Sequence, residues 1–520
     1  MTAVATVAAA LVVGPSAEAA SASMTLVVSA NQTFRPVTYV ATGSLYGLAD
    51  ATNPSDSLAA AIKPNTFVQM AAGGRQQPTG DILVVAPKAA RVGAKLVDRL
   101  SDYYPGWPYQ FSWSTWPNFV DAQVRSVNRT TVPNLVAYEP WNESDQTWLS
   151  SNGTFENFWT RTHRQIRAID PTTPIQGPSL SNNISGMRTF LQNAVATNTV
   201  PDIISWHELA GAHLIQNDIQ TVVGIQNSLG ISPRPIAIEE YASPSEVGIP
   251  GALVGYIAKF ERFGVRDAEL AFWNQSGTLG DLLTSRGGSP NGAYWLYKWY
   301  AEMSGNMVVT TPPSQTSIDG AAALTSDGRQ LSVIFGGGTS GSSAVQVNGI
   351  SGALGATGRV RVKVERVAST GRTGASSGAV TLSESEYSVS NGSINVPVTT
   401  TNTSAYRLLI TSTGTSTTTR TTTTTSTGTT PGSGAGQLVT PAGKCLDVSG
   451  TGNGSSARIN TCGDSSGQVW EFASDGTLRT LGGSMCLDAS NRGTANGTAL
   501  IIYACHGEAN QRFSWGSNSS

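Results

Sequence analysis

Val136-Ala137-Tyr138-Glu139-Pro140-Trp141-Asn142-Glu143 reads as a buried β-strand that ends by presenting an amide and a carboxylate side by side. Four of its first six positions are apolar or aromatic and the run opens on β-branched Val136, the pattern of a strand packed on both faces. Packing gives no reason for two polar residues to close such a strand. A second run, Pro235-Ile236-Ala237-Ile238-Glu239-Glu240-Tyr241, repeats the pattern about a hundred residues on, within the span of one ordinary domain. Two carboxylates at the ends of two buried strands are what hydrolysis of a glycosidic bond requires.

Working outward, residues 41–303 alternate strand-like and helix-like patterns. Strands are expected at Gly43–Leu48, Thr66–Ala71, Tyr109–Trp113, Leu135–Trp141, Pro174–Pro178, Ile203–His207, Ile236–Tyr241 and Leu270–Asn274. Helical periodicity falls at Ala89–Tyr103, Phe155–Ile169, Met187–Ala196, Leu253–Phe263 and Ala293–Met303. Eight β-α units over about 260 residues match the length of a (β/α)8 TIM barrel. From Met307 to Thr411 the pattern changes to short alternating runs between Gly, Ser and Asn turns, which predicts an antiparallel β-sandwich. Met24–Ala41 is also strand-like and is expected to add a strand to it.

The expected organisation is therefore a signal-peptide-like segment 1–20, an N-terminal strand segment 21–40, a barrel 41–305, a sandwich 306–411, a linker 412–435 and a small Cys-bearing module 436–520. The linker is Thr/Ser-rich with Gly and Pro; it has nothing to bury, and its hydroxyls suit O-glycosylation. Residues 1–20 are Ala/Val/Leu-rich and close on Ala17-Glu18-Ala19-Ala20, a small-x-small cleavage pattern, although a basic start is missing. All four cysteines (Cys445, Cys462, Cys486, Cys505) lie in the last fifth of the chain, which excludes a thiol nucleophile in the barrel and predicts two local disulfides in an oxidising compartment. N-glycosylation triplets at Asn31, Asn128, Asn152, Asn183 and Asn391 fit the same secreted, extracellular destination. No other stretch is apolar and long enough to cross a bilayer.

A net charge of −2 with 13% charged residues leaves no basic stripe, so nucleic acid and anionic membrane are not expected partners. The expected partner is a polysaccharide or oligosaccharide, and the protein is expected to be a monomer. The 12 Trp, many beside the strand-end motifs, offer flat platforms for sugars as readily as core packing.

In a TIM barrel the C-terminal strand ends face the active-site mouth. This places Asn142 and Glu143 after the fourth strand, His207 after the sixth, Glu240 after the seventh and Trp273 after the eighth, with Arg75 near the end of the second. One carboxyl must be protonated as acid and the other ionised as nucleophile, about 5–5.5 Å apart in a retaining enzyme. Asn142 is placed to hydrogen-bond a sugar 2-OH and Arg75 to keep the nucleophile ionised. Trp113 and Trp116 are candidate platforms.

These residues carry a resemblance. Trp141-Asn142-Glu143, then a Glu followed by an aromatic three strands on, resembles the clan of TIM-barrel retaining hydrolases. Tyr138-Glu139-x-Trp141-Asn142-Glu143, Asp170-Pro171, Gly177-Pro178-Ser179 and Ile204-Ser205-Trp206-His207 make the chain most similar to glycoside hydrolase family 39, over residues 41–303. The resemblance implies Glu143 as acid/base, Glu240 as nucleophile, His207 and Tyr241 lining the −1 subsite and Trp273 as its floor. Glu239 stands where relatives often carry Thr or another small residue. Strand alternation sends Glu239 and Glu240 to opposite faces, but both faces are apolar, so the choice stays open with Glu240 preferred.

Residues 436–517 contain a duplication: Lys444-Cys445-Leu446-Asp447 leads to Cys462 and Gln468-Val469-Trp470, and Met485-Cys486-Leu487-Asp488 leads to Cys505 and Gln511-Arg512-Phe513. This resembles the ricin-B β-trefoil, carbohydrate-binding module family 13. A trefoil has three repeats and two are present, so a small partial trefoil is expected. The resemblance implies pairs Cys445–Cys462 and Cys486–Cys505, and a sugar site of Asp488, Tyr503, His506, Asn510 and Gln511. In the first repeat Asn460 replaces the aromatic beside Asp447.

Other chemistries are not supported. His207-Glu208 opens like a zinc-protease motif, but Gly211 holds the second His position. No nucleophile elbow, phosphate-cradling loop or metal-ligand cluster is seen, so neither metal nor cofactor is expected. A catalytically silent sugar-binding protein and a transglycosylase are the rival readings.

Overall fold

The structure, a computed structural model, describes residues 24–182, 184–356, 358–413, 437–440, 444–463, 465–473, 475–495 and 497–513. The expected signal segment, and the linker beyond residue 413, lie outside them. The chain divides into two compact units, 1–416 and 417–520.

The first unit opens with strand β1 (Thr25–Pro36) and continues into eight parallel strands: β2 (Gly43–Leu45), β3 (Thr66–Met70), β4 (Lys95–Arg99), β5 (Leu135–Glu139), β6 (Gln176–Leu180), β7 (Ile203–Glu208), β8 (Ile236–Tyr241) and β9 (Asp267–Leu270). Their order, β5-β4-β3-β2-β9-β8-β7-β6, is that of a barrel, and a parallel bridge between Tyr138 and Ile175 nearly closes the seam. Strand alternation explains the two cores. Phe67, Leu96, Tyr138, Ile204 and Ile238 point outward to the helices. Val68, Val97, Ala137, Ile203 and Ala237 fill the interior. The helices have local stop and start signals: Asp81 caps Ile82–Arg91 by accepting from the N–H groups of Leu83 and Val84, and Gly264, at φ 75°, ends Pro250–Phe263.

Two strands differ from expectation. The third barrel strand is Lys95–Arg99, not Tyr109–Trp113. Its charged residues hid it: Asp98 and Arg99 are buried on opposite sides of the sheet, so the run lacked the apolar signature and was absorbed into an expected helix. Tyr109–Trp113 is instead loop, with Phe111 and Trp113 joined to Trp116, Trp148 and Phe158 in an aromatic cluster behind β5. The eighth strand is Asp267–Leu270, earlier than Leu270–Asn274, because buried Asp267 and Glu269 masked its start.

The remaining strands of this unit are β10 (Asn306–Thr311), β11 (Ile318–Leu324), β12 (Gln330–Gly337), β13 (Gly341–Asn348), β14 (Arg359–Val367), β15 (Val380–Ser388), β16 (Ile394–Thr400) and β17 (Ala405–Ser412). With β1 they form one nine-stranded sheet, β15-β14-β17-β12-β11-β10-β1-β13-β16. Its inward residues share one core, from Leu26 and Val28 through Val333 and Phe335 to Val362, Val396 and Leu408, so the sheet folds over on itself. All neighbours are antiparallel except β1 with β13, which run parallel. The other face of the sheet packs on helix Pro250–Phe263, where Lys259 and Arg262 reach Asp319 at 2.7 and 2.6 Å.

The second unit is a six-stranded antiparallel sheet: β18 (Lys444–Val448), β19 (Ser455–Thr461), β20 (Trp470–Phe472), β21 (Leu478–Thr480), β22 (Met485–Ala489) and β23 (Leu500–Ala504). Disulfides Cys445–Cys462 and Cys486–Cys505 close each repeat. Trp470, Leu478, Leu487 and Ile502 form its small core.

Candidate active site

The site is built by irregularities at the strand ends. Between Ile238 and Tyr241, β8 carries one residue more than its neighbours: His207 of β7 pairs with Glu240 while Trp206 pairs with Ile238, and Tyr241 pairs with Leu270 while Ile238 pairs with Ala268. This is a β-bulge. It breaks the alternation, so Glu239 and Glu240 both face the barrel interior, Glu239 deep and Glu240 at the mouth. β6 has a matching irregularity at Ser179, φ 57°. Glu143 stands just past β5 at φ 49°, a left-handed backbone unusual outside glycine, held by its N–H donating to Ser179 O at 2.7 Å.

These elements bring Glu143, His207 and Glu240 together. His207 Nδ1 lies 2.9 Å from Glu143 Oε1, and its Nε2 lies 3.9 Å from both Glu239 Oε2 and Glu240 Oε1. One ligand-type atom from each of Glu143, His207 and Glu240 falls within 4.8 Å of the others, so a carboxylate oxygen of Glu143 lies no more than 4.8 Å from one of Glu240. Three such atoms are also what a divalent cation uses. Here Arg99 Nη1 donates to Glu240 Oε1 at 2.8 Å and already supplies the positive charge. Burial lowers the His207 pKa, but the Glu240 charge and the Glu143 hydrogen bond outweigh it and lift it to about 9. Burial raises Glu143, and the His207 bond and charge override this to hold it below the ordinary range.

A cavity of about 320 Å³ opens over the pair. Leu45, Tyr46, Gln76, Gln77, Arg99, Trp107, Tyr109, Asn142, Leu209, Phe272, Trp273 and Asn274 line it with Glu143 and Glu240. The buried Asn142 Oδ1 has no protein partner. Trp107 and Trp273 are exposed, at 55% and 41%. The Trp273 indole is pinned by Nε1 donating to Ala242 O at 3.1 Å, and Asp281 fixes its loop through the N–H groups of Trp273, Asn274 and Gln275. Asp102 accepts from Tyr46 and, at 2.8 Å, from Tyr109, tying two walls of the cavity together. Burial raises the Asp102 pKa to about 7 despite Arg99 nearby.

Four expected site residues lie elsewhere. Arg75 is exposed, donating to Tyr103 O at 3.2 Å with its guanidinium on the Tyr103 ring; Arg99, inside the strand mistaken for a helix, is the cation at Glu240. Tyr241 follows the bulge and points outward, bonding Ala41 O and Tyr297 Oη at 2.6 Å. Trp113 donates to Asn152 O at 2.9 Å beneath Arg161, and Trp116 is core. Sequence reasoning also missed Trp107, Tyr109 and Tyr46. The Leu96-Val97 pair before Asp98-Arg99 was the one signal for Arg99; nothing local marked Trp107.

In the second unit Asp488 accepts from Gln511 Nε2 at 2.8 Å and Asn510 Nδ2 at 2.9 Å, with His506 Nε2 at 3.3 Å. Tyr503 is exposed, its ring centroid 6.2 Å from that of His506. In the first repeat Asp447 accepts from Asn460 at 3.1 Å and Gln468 at 3.3 Å, so Asn460 occupies the carboxylate that an aromatic would leave open.

Residues 434–520 match the ricin-type beta-trefoil lectin domain. Over 363 residues, 57% of the chain, the protein is 27% identical to the 3-O-alpha-D-galactosyl-alpha-L-arabinofuranosidase of Bifidobacterium longum subsp. longum, covering 32% of it. It is likewise 27% identical over 362 residues to the 3-O-beta-L-arabinopyranosyl-alpha-L-arabinofuranosidase of Bifidobacterium pseudocatenulatum, again 57% of this chain and 37% of that one. The chain thus spans about a third of the length of these curated relatives. Among solved structures, N2152 from Neocallimastix frontalis is 36% identical, with TM-score 0.71, 75% of this chain and 99% of that one covered. The GH39 enzyme from Xanthomonas axonopodis pv. citri shares the fold at TM-score 0.52 and 14% identity, over 75% of this chain and 97% of that one.

Proposed function

This chain belongs to the same family as N2152 and is a family 39-like glycoside hydrolase with a ricin-type lectin module, and from that premise we propose that it cleaves O-glycosidic bonds with retention, by double displacement. The observation that carries the reading is the approach of Glu143 and Glu240 to within 4.8 Å. Retaining pairs stand about 5–5.5 Å apart, whereas inverting pairs leave about 6.5–9.5 Å for a water.

Glu240, charge-balanced by Arg99, attacks the anomeric carbon, and Glu143 protonates the departing oxygen. In the free enzyme the proton of the Glu143–His207 hydrogen bond rests on His207. It passes to Glu143 as the leaving oxygen develops charge, and returns when Glu143 takes a proton from the water that releases the sugar. Asn142 offers its unpartnered Oδ1 to a sugar hydroxyl.

Both Bifidobacterium relatives are named for an α-L-arabinofuranosidase acting where another sugar is attached at O3. The substrate class assigned here is accordingly a 3-O-glycosylated arabinofuranoside of a plant or microbial polysaccharide. Trp107 and Trp273 supply exposed faces for two rings in one cavity. The lectin module, through Asp488, Asn510, Gln511 and Tyr503, holds the enzyme on that polymer, and the linker raises local concentration. The apolar start and the disulfides support an extracellular protein.

The test is product analysis on arabinogalactan-type polysaccharides alongside aryl α-L-arabinofuranosides and β-xylosides. A disaccharide bearing arabinose at its reducing end is expected. Release of xylose alone would remove the substrate assignment, and no release from any of them would remove the enzyme.

A further inference from the structure

Beneath the catalytic pair the barrel interior carries further buried acids, Glu139 from β5, Glu239 from β8 and both Asp267 and Glu269 from β9, where a barrel usually has aliphatic layers. The charged groups facing Glu239 are Glu139, Arg99 from β4 and His207 from β7, with Glu269 on the adjacent strand β9 and Glu240 next in the chain. Arg99 is already divided: Nε donates to Glu139 Oε2 at 3.0 Å and Nη1 to Glu240 Oε1 at 2.8 Å.

The hydrogen count decides the charge of Glu239. Ser179 Oγ lies 2.6 Å from Glu139 Oε1 and also touches Glu239 Oε2. A hydroxyl has one hydrogen to give. Were both carboxyls ionised, one of these contacts would set oxygen against oxygen with no hydrogen between them. Glu139 is the ion-pair partner of Arg99, so the extra proton belongs to Glu239. Gln176 Nε2 donates to the other oxygen, Glu239 Oε1, which leaves Oε2 to carry it.

We propose that Glu239 is a neutral carboxylic acid at working pH and a positioning residue: its Oε2–H donates to Ser179 Oγ, the Ser179 hydroxyl donates to Glu139, and Arg99 joins Glu139 to Glu240. One directed chain thereby fixes the aim of the nucleophile. The inference rests on Glu240 being that nucleophile. Burial and the Glu139 charge raise the Glu239 pKa to about 8. Above that pH the chain loses a donor and Ser179 must abandon one acceptor, so activity falls on the alkaline side before His207, at about 9, gives up its proton.

The experiment uses the full chain with Glu239→Gln, Glu239→Ala and Glu240→Gln, and an activated aryl glycoside that the wild type cleaves. Gln keeps the donor and cannot ionise. Glu239→Gln is expected to stay within about tenfold of wild type in kcat/KM, with its alkaline limb moved up by about one pH unit; Glu239→Ala is expected to lose roughly 100-fold. A loss in Glu239→Gln as deep as in Glu240→Gln, or an unmoved alkaline limb, overturns the proposal. Infrared difference spectra of wild type minus Glu239→Gln should show a protonated carboxyl C=O band at about pH 6 that titrates away above about pH 8; its absence also overturns it. That readout needs no turnover, so a protein that cleaves nothing would end the functional reading and leave this test standing.

Discussion

Glu143 owes its aim to a left-handed backbone and to two contacts from other strands, Ser179 O on its N–H and His207 on its carboxylate. None of this is visible in the triplet Trp141-Asn142-Glu143, which marks the residue without saying how it is held. In its proposed role as proton donor, Glu143 matters in proportion to how badly the leaving oxygen needs a proton. Glu143→Gln is expected to slow natural glycosides by roughly 10²–10⁴-fold while sparing aryl glycosides with acidic leaving groups, read as kcat/KM across a leaving-group series. Equal losses across the series would remove Glu143 from the acid role. Arg99 teaches the complementary lesson. Arg75 was the expected cation because it follows a recognisable strand, whereas Arg99 lies inside a strand that its own charge disguised.

At the scale of the elements, the apolar strands β5, β7 and β8 were legible and the charged strands β4 and β9 were not. A hydrophobic pattern finds strands whose two faces are both apolar; it fails where the barrel interior is ionic. The bulge in β8 was equally invisible, because alternation carries no mark of one inserted residue. The resemblance put both Glu240 and Tyr241 in the cleft; the bulge keeps Glu240 there and turns Tyr241 outward. The outward face of β4 gives a stability test. Burial pushes the Asp98 carboxyl up to about 8, against a 2.8 Å hydrogen bond from Gln123. A carboxyl raised in the folded state adds stability below its unfolded pKa and loses it as pH rises through the folded value. Asp98→Asn keeps the Gln123 bond and stays neutral. It should therefore match wild type in urea unfolding below about pH 4 and lead it by a margin that widens by up to roughly 1 kcal/mol per pH unit as pH rises to about 8. Parallel pH profiles for the two proteins would contradict the assignment.

At the scale of the whole molecule, the duplicated Cys-Leu-Asp and Gln-x-aromatic spacing made the C-terminal unit readable, since each repeat closes through its own short disulfide loop, roughly 3 kcal/mol of constraint on the unfolded chain. The nine-stranded sheet was readable as alternating strands, but its parallel β1–β13 pairing was not, because those partners lie some three hundred residues apart and only the fold brings them together. The proposed reading gives chemistry and polymer attachment to different units of one chain, and its chemistry rests on a single assignment, Glu240 as nucleophile opposite Glu143. The most direct test is to let the enzyme react with a slow-turnover 2-deoxy-2-fluoro glycoside of the sugar it cleaves, then map the added mass by peptide sequencing. The account predicts one sugar bound covalently at Glu240; a label on Glu239 or elsewhere, or an enzyme that turns over without ever becoming labelled, would contradict it.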